Sequence, residues 1–361
     1  SETGTVQEKL IDHELLITPL KTLDAYNKES LKPKEISKLA DSRYESFLSK
    51  APENSLILDS MKSFRDDFMP KYARASLLSK FYQKWYFRAG AMIYVFSALA
   101  VATVTLQTLF YPEHPEILWL EVLYMMGILI TVYVSNKIGI HRRWIDYRFL
   151  AERMRTAIFF TIAGIGHAPL GYLPYVSKSQ QTDYWLVKAF SWIWNTLPQN
   201  PQASSMDFSR LKAYMKTFWV EDQLKFYLEK SHENRSTHER YELMGVGMFI
   251  LTLIAAFLHA SKLEHFVLGH EVVNPNVLAS FGIILPAIGA SLAGILSKRE
   301  FLKNSARYEQ MLSPLKGICK QMDDVKNMDQ LIELLEQAND LILRENQDWR
   351  VSFLSQRLRP L

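Results

Sequence analysis

The sequence predicts an all-α integral membrane protein with four transmembrane helices arranged as two hairpins. Three observations support this prediction. No formal charge lies between Arg88 and Glu113 or between Glu271 and Lys298. A further apolar block follows each of positions 116 and 242, and short connections join the blocks in pairs. Basic residues flank the pairs on one side only, although an overall charged fraction of 22% is ordinary for a soluble protein.

Each predicted span has the length that a bilayer requires. About 20 apolar helical residues, each rising about 1.5 Å, cross about 30 Å of hydrocarbon. The predicted spans are residues 89–111, 117–134, 243–260 and 277–296. Trp85 and Tyr111 lie near the ends of the first span, where aromatic residues are typical of the membrane interface.

The basic residues predict the orientation of the spans. Lysine and arginine precede the first and third spans and follow the second and fourth. The two hairpin connections hold one basic residue, Lys262. Because positive charge stays inside, both termini and the middle segment are predicted to be cytoplasmic. The chain starts with Ser-Glu-Thr rather than Met, which indicates a processed chain or the C-terminal part of a longer one.

The spans divide the chain into three predicted parts. Residues 1–75 form a polar helical segment, residues 76–200 hold the first hairpin and an interfacial cytoplasmic extension, and residues 201–361 hold the second hairpin and a helical tail. Both hairpins lie between basic helices, which indicates a weak internal repeat. The amphipathic tail is expected to form a coiled-coil-like helical hairpin that breaks near 322–327.

Two apolar segments of the middle region are interpreted as membrane-associated without crossing the bilayer. Residues 157–176 are broken by glycine and proline, which favours an interfacial or re-entrant element over a fifth span. Residues 183–194 carry several aromatic side chains around Lys188, which is typical of a helix at the headgroup level.

Polar residues are few within the predicted spans. The candidates for a pore wall are Thr103, Gln107, Thr131 and Thr252. The Gln107 amide needs a partner, which is either an aqueous path in an oligomer or a neighbouring helix. No charged residue lies at the centre of a span, and this argues against a coupled transporter.

The fourth span carries small or helix-kinking residues at four-residue intervals. They are Gly282, Pro286, Ala290 and Gly294. Such a face lets another helix approach closely, either within the chain or in a second copy of it. Pro286 is expected to kink the helix.

Charged and aromatic residues outside the spans are candidates for coupling a cytoplasmic signal to the hairpins. They are Arg148, Glu152, Arg153, Trp219, Glu221, Asp222, Glu345, Asp348 and Trp349. The i,i+4 pair Arg148–Glu152 is equally typical of a solvated helix face. The clusters around Trp219 and Trp349 either buttress helix junctions or receive a partner domain.

No residue set in the sequence is typical of catalysis, metal binding or cofactor binding. The nine histidines form no i,i+4 pair, and the single cysteine, Cys319, lacks the neighbours of a metal site. We therefore expect a protein that is not an enzyme and has no cofactor. Aromatic residues lie beside apolar blocks rather than on a basic polar domain, so nucleic acid is not an expected partner.

Five segments resemble a known family of bacterial proteins. They are residues 147–155 (YRFLAERMR), 157–164 (AIFFTIAG), 219–223 (WVEDQ), 252–259 (TLIAAFLH) and 345–350 (ENQDWR). Over roughly residues 75–355 the chain resembles the SLATT-type transmembrane effectors, which are found beside nucleotide-generating or SLOG-type sensor domains in antiviral systems.

The resemblance implies a homo-oligomeric effector of the bacterial cytoplasmic membrane. Such a protein forms or gates a pore, and so depolarises the membrane, in response to a nucleotide-derived signal in antiviral defence. No sensor domain is recognisable in the sequence, so the resemblance implies a cytoplasmic sensor domain or protein as a partner beside the lipid bilayer. The alternative hypothesis is a membrane anchor or scaffold that recruits a soluble enzyme or sensor.

Overall fold

A computed structural model describes residues 21–48, 62–169, 184–197, 207–261 and 275–354. These ranges are helical and contain no strand. Residues 21–28 form a short helix. The longer helices are α1 (Pro33–Leu48), α2 (Met69–Phe110), α3 (Leu118–Ile138), α4 (Ile140–Ala163), α5 (Tyr184–Asn195), α6 (Phe208–Met215), α7 (Asp222–Ser261), α8 (Pro275–Arg299), α9 (Phe301–Asp324) and α10 (Met328–Leu354).

Four of these helices contain the predicted spans. Helices α2, α3, α7 and α8 lie in the four stretches that are long and apolar enough to cross a membrane. Only 6 to 28% of the apolar window in each stretch is buried inside the protein, as expected for helices whose surface faces lipid. The predicted fold class is therefore confirmed: the chain is an all-α, multi-pass membrane protein with two transmembrane hairpins.

Single residues with positive φ end two of the spans. Helix α3 ends at Gly139, whose φ is 71° and whose N–H donates to the carbonyls of Ser135 and Asn136. Helix α8 is followed by Glu300, whose φ is 48°. A helix cannot continue through a left-handed residue, so the chain turns there and starts a new helix, α4 or α9.

The two halves of the chain run through the same series of elements. Each starts with a π-helical turn, Phe64–Phe68 or Lys216–Glu221. A helix of 42 residues (α2) or 40 residues (α7) leads into the first span of each hairpin. After the second span and the left-handed residue, each half enters a helix of 24 residues. The internal repeat suggested by the sequence thus has a counterpart in the order and lengths of the helices.

The chain forms two compact units. The head unit takes residues from the ranges 1–81, 143–225 and 311–351, and the membrane unit takes residues from 82–142, 226–310 and 352–361. Large aromatic side chains fill the core of the head unit: Phe64, Trp144, Tyr147, Phe159, Phe160, Trp185 and Trp219. The helix break expected in the tail near 322–327 is present, since α9 ends at Asp324 and α10 starts at Met328.

Two apolar segments of the middle region were expected to lie at the membrane, but the structure buries residues of both inside the protein. Residues 157–163, expected in an interfacial or re-entrant element, are the last turns of α4 and are buried in the protein. Residues 170–176 of that segment lie outside the described residues. Helix α5, expected at the headgroups, buries Trp185 and Phe190 and leaves Trp192 exposed. Both segments are apolar because they contribute to a protein core.

The hairpins of the membrane unit pack against each other through α2 and α8. Ser291 Oγ donates to the Tyr94 carbonyl at 2.9 Å, and Asn276 Nδ2 donates to the Leu109 carbonyl at 2.5 Å. A Cβ atom at Gly294 would overlap the Tyr94 ring. The early part of α8 therefore meets the late part of α2, as in an antiparallel pair.

Candidate functional site in the head unit

Helix α4 is the centre of a cluster of buried charged and aromatic side chains in the head unit, here called the coupling cluster. The Trp219 ring, which is 1% exposed, stacks on Phe159 with 5.2 Å between centroids and 6° between planes. It also meets the edge of Phe160 at 6.0 Å. These contacts join α4 to the π-helical turn Lys216–Glu221, which runs directly into α7.

A second set of contacts joins α4 to α10. The Arg148 guanidinium lies 3.8 Å from the centroid of the Trp349 ring. Trp144 meets Trp349 edge to face, with 5.4 Å between centroids. Residues 144 and 148 are four apart and therefore share one face of α4. A guanidinium over an indole ring contributes a cation–π attraction that burial strengthens.

A buried ion pair lies beside these rings. Arg350 Nη2 donates to Asp146 Oδ1 at 2.9 Å, and the two side chains are 11% and 2% exposed. Arg153 is also buried, and its Nη1 donates to the Pro169 carbonyl at 2.9 Å. Burial, together with the positive charge of Arg350, lowers the pKa of Arg153 to about 10. The cluster thus holds two arginines close together inside the protein.

Arg155 links α4 to the start of α7. Its Nη2 lies 2.8 Å from Glu152 Oε2 and donates to Gln223 Oε1 at 2.8 Å. Gln223 is buried, and it follows the π-helical turn that carries Trp219. The bonds of Arg155 and the stacking of Trp219 therefore both join α4 to the start of α7, at neighbouring positions.

Among the described residues, no three His, Cys, Asp or Glu side chains lie close enough to hold a metal ion. The arrangement in the cluster instead favours rigid positioning. Stacked rings and paired charges hold the ends of α4, α7 and α10 in fixed geometry.

Two of the three segments joined in this cluster, the Trp219 turn and α10 as far as Trp349, lie in a part of the chain that is similar to a known family. Residues 216–349 match the model of the SMODS and SLOG-associating 2TM effector domain 1. These residues are therefore similar to a SLATT-type effector domain. No curated protein and no solved structure matches the chain.

The matched range begins and ends at elements of the coupling cluster. It starts at the π-helical turn Lys216–Glu221, contains both spans of the second hairpin, and ends at Trp349 on α10. The resemblance over roughly residues 75–355 is thus supported by the match for residues 216–349. The first half of the chain, with the same series of elements, lies outside the match.

The cluster contains some of the predicted coupling residues and leaves others out. Arg148, Glu152, Arg153, Trp219 and Trp349 belong to it, and each is half-buried or buried. Glu345 is 5% exposed and lies one turn before Trp349 on α10, within the matched range.

The remaining coupling candidates lie at the surface. Glu221 is half-exposed, and its carboxylate is 4.0 Å from Lys216 Nζ. Asp222 and Asp348 are exposed.

Three of the four polar candidates in the spans form hydrogen bonds to nearby carbonyls of their own segment. Gln107 is 8% exposed, and its Nε2 donates to the Tyr111 carbonyl at 3.3 Å. The hydroxyls of Thr131 and Thr252 donate to carbonyls four residues earlier, and both side chains are half-buried, as is Thr103. None of the four is exposed on the surface of the protomer.

The small residues of the fourth span face different surroundings. Gly294 packs against Tyr94 of the same chain. No atom lies near the position of a Cβ at Gly282, and Pro286 and Ala290 are exposed. Pro286 lies inside the continuous helix α8.

Sequence reasoning missed the Asp146–Arg350 ion pair. The ion pair joins residues 204 positions apart. Arg350 ends one of the motifs that carry the SLATT resemblance, and Asp146 directly precedes another. The signal available in the sequence was therefore membership of a motif for Arg350 and position beside a motif for Asp146.

Proposed function

We propose that the chain is an effector of the bacterial cytoplasmic membrane that oligomerises and opens a pore, and so depolarises the cell, when a cytoplasmic signal reaches the head unit. The description of the matching domain supports the effector role, since it names an effector with two transmembrane helices. The chain carries a second hairpin of the same plan. The proposal includes no catalytic step.

The observation that carries the proposal is the continuity between the coupling cluster and the spans. Helix α4 starts one residue after α3 ends, and the Trp219 turn leads into α7 without a break. Trp349 lies on α10, which follows α8 and α9 through two short breaks. A helix transmits a rotation or shift along its length, so a rearrangement of the cluster is passed to these spans.

The head unit is the proposed receiver of the signal, which we take to be nucleotide-derived and brought by a cytoplasmic sensor domain or protein. The association with SMODS and SLOG in the description of the domain supports this kind of partner. Asp222 and Asp348 lie next to the cluster and are exposed, so a basic partner surface has access to them. The basic flanks of the spans support a cytoplasmic position for both termini.

Exposed apolar side chains on α3 and α7 support self-association within the membrane. Trp119, Leu123, Leu243 and Phe249 are between 60 and 73% exposed. Lipid or a second copy of the chain covers such surfaces. Gln107 is buried, and the half-buried Thr131 and Thr252 direct their hydroxyls to carbonyls of their own helices. We therefore propose that the pore opens by rearrangement of the helices rather than through a polar wall already formed between protomers.

The test compares two arginine substitutions in cells. Arg148→Gln removes the charge that stacks on Trp349, whereas Arg344→Gln removes an exposed charge from α10. Both variants are produced in a bacterial host with and without phage infection, and growth and membrane potential are followed with a voltage-sensitive dye. We expect wild type and Arg344→Gln to depolarise the cells and arrest growth in an activating condition, and Arg148→Gln to do neither at equal membrane content.

The same experiment distinguishes the scaffold hypothesis. A chain that remains in the membrane and never changes the potential, with or without infection, is not a pore-forming effector. A soluble enzyme or sensor recovered on the head unit of such a chain supports an anchor or scaffold instead.

A further inference from the structure

Positive charge collects at one end of the α2–α8 pair in the membrane unit, here called the basic end (Lys84, Arg88, Lys298 and Arg299). Neither α2 nor α8 contains an acidic residue along its whole length. Their basic residues lie outside the predicted spans, before position 89 on α2 and after position 296 on α8. The pair therefore carries only positive formal charge, and it does so where the spans end.

Contacts between α2 and α8 bring the basic residues of the two hairpins together. Ser291 on α8 donates to the Tyr94 carbonyl on α2. Further towards the basic end, the Arg299 guanidinium lies 4.3 Å from the centroid of the Phe87 ring. These two contacts follow the antiparallel register of the helices, so Arg299 of the second hairpin is placed against the first.

Aromatic rings hold the Arg299 guanidinium without using its N–H groups. Besides Phe87, the Phe301 ring lies 5.9 Å from it, and Phe301 stacks on Tyr241 of α7 with 6.1 Å between centroids. The Arg299 side chain is half-buried, and among the described residues it forms no hydrogen bond or ion pair. A guanidinium carries five N–H donors in a planar fork that fits phosphate. Its position and its uncommitted donors therefore suit a phosphate ligand.

Two further cations lie beside Phe87 on α2. Lys84 and Arg88 are four residues apart, and Phe87 is three residues after Lys84, so all three belong to one face of the helix. Lys84 and Arg88 are exposed, and neither has an ion-pair partner in the described ranges. The charge that faces an anion at this point is therefore greater than that of Arg299 alone.

The acid that follows Arg299 in the sequence is engaged elsewhere. The Glu300 side chain is 8% exposed, and its Oε1 lies 2.8 Å from Lys303 Nζ. Its Oε2 accepts a hydrogen bond from the Ser352 hydroxyl at 3.4 Å. Glu300 thus leaves the donors of Arg299 available to a ligand.

We propose that the basic end binds the phosphate of an anionic phospholipid. Two phosphate oxygens accept hydrogen bonds from the fork of Arg299, and Lys84 and Arg88 attract the negative charge of the headgroup. A bound lipid joins α2 to α8 and so connects the two hairpins. The binding does not depend on the proposed pore activity.

The position of the site favours a lipid over a free phosphate. Arg88 and Arg299 lie within three residues of the predicted spans, which places them at the level of the headgroups. Trp85, which is 40% exposed, lies in the same turns of α2, as is typical of the membrane interface. A phosphate at this level is therefore expected to belong to a lipid.

Native mass spectrometry of the full chain in detergent micelles measures the binding. The probes are phosphatidylglycerol and phosphatidylcholine with identical acyl chains, which differ in net charge. The fraction of the chain that carries one lipid gives an apparent Kd. We expect the Kd for phosphatidylglycerol to be lower by about tenfold or more, because more than one basic residue attracts its charge.

Three substitutions locate the binding. Arg299→Gln is expected to raise the Kd for phosphatidylglycerol by about fivefold or more, because it removes the fork. Phe87→Leu keeps every charge but removes the ring that positions Arg299, and it is also expected to raise the Kd. Arg344→Gln removes an exposed arginine from α10 in the head unit and is expected to leave the Kd unchanged. Thermal unfolding checks that each variant is folded.

The location is wrong if Arg299→Gln and Phe87→Leu, both folded, leave the Kd unchanged, or if Arg344→Gln raises it as much as Arg299→Gln. Equal Kd values for the two lipids would overturn the requirement for an anionic headgroup. Glycerol 3-phosphate is the probe for a free phosphate, and we expect it not to displace phosphatidylglycerol. Displacement at an equal concentration would identify a site for soluble phosphates and overturn the proposal of a lipid.

Discussion

At the residue scale, the head unit depends on charges that are buried but paired. Asp146 and Arg350 face each other at 2.9 Å, and burial close to Arg350 lowers the pKa of Arg153 to about 10. A buried pair contributes little when intact, because desolvation offsets the attraction, but removal of one partner leaves an uncompensated charge. The stability of the head unit is therefore sensitive to the loss of either Asp146 or Arg350.

Asp146→Ala is expected to lower the free energy of unfolding by about 3–5 kcal/mol, because Arg350 stays buried without this carboxylate. The matched control is Glu233→Ala, which breaks an exposed pair with Lys230 and is expected to cost about 1 kcal/mol or less. Thermal unfolding of the detergent-solubilised chain measures both. Equal effects of the two substitutions would contradict the assignment of a buried, structurally important pair.

At the element scale, hydropathy and charge predicted the helices that cross the membrane, but not what surrounds the other apolar segments. A membrane span is a long, uncharged run of residues, because it must cross the hydrocarbon layer of the bilayer. Its length and lack of charge therefore identify it in the sequence. Residues 157–163 are equally apolar, yet protein covers them. A single sequence does not distinguish a lipid partner from a protein partner for a short apolar run, because the hydrophobic effect is the same in both cases.

The fourth span gives a second example at this scale. Its row of small residues left open an intrachain or an intermolecular contact, and the structure places Gly294 against Tyr94 while Ala290 is exposed. Gly294→Leu is therefore expected to destabilise the protomer, since the side chain meets the Tyr94 ring. Ala290→Leu is expected to leave the protomer stable and to weaken self-association, because bulk on an exposed face separates helices.

Mass photometry in nanodiscs, together with thermal unfolding, distinguishes the two variants. The expected pattern is a smaller assembly for Ala290→Leu and a lower unfolding temperature for Gly294→Leu. If Ala290→Leu leaves the size unchanged, this face of the fourth span contacts lipid rather than another copy.

At the scale of the whole molecule, the sequence predicted the class, the number of spans and the family resemblance. It did not predict the coupling cluster, whose members come from three distant parts of the chain. Trp349 contacts Arg148, which lies about 200 residues earlier in the chain. The sequence around either residue does not predict that contact. Motifs identified α4, the Trp219 turn and α10 as important, and only the fold shows that they meet.

Topology is a prediction for the whole molecule. In a Cys319→Ala background, a cysteine at position 116 is expected to react with a membrane-impermeant maleimide added to intact cells, and a cysteine at position 348 is not. Glu116 and Asp348 are both exposed, so the membrane and not burial decides the result. Labelling at 348, or protection at 116, would reverse the assigned orientation.

We propose above all that this chain itself permeabilises a membrane. The most direct measurement is the potential across liposomes that contain the purified chain and a potassium gradient set with valinomycin. A small-molecule extract of phage-infected cells is added as a source of the signal. We expect the potential to collapse when the extract is added and to persist in vesicles that contain Arg148→Gln. A potential that wild-type vesicles hold in the presence of the extract, with the chain inserted at equal density, would contradict it.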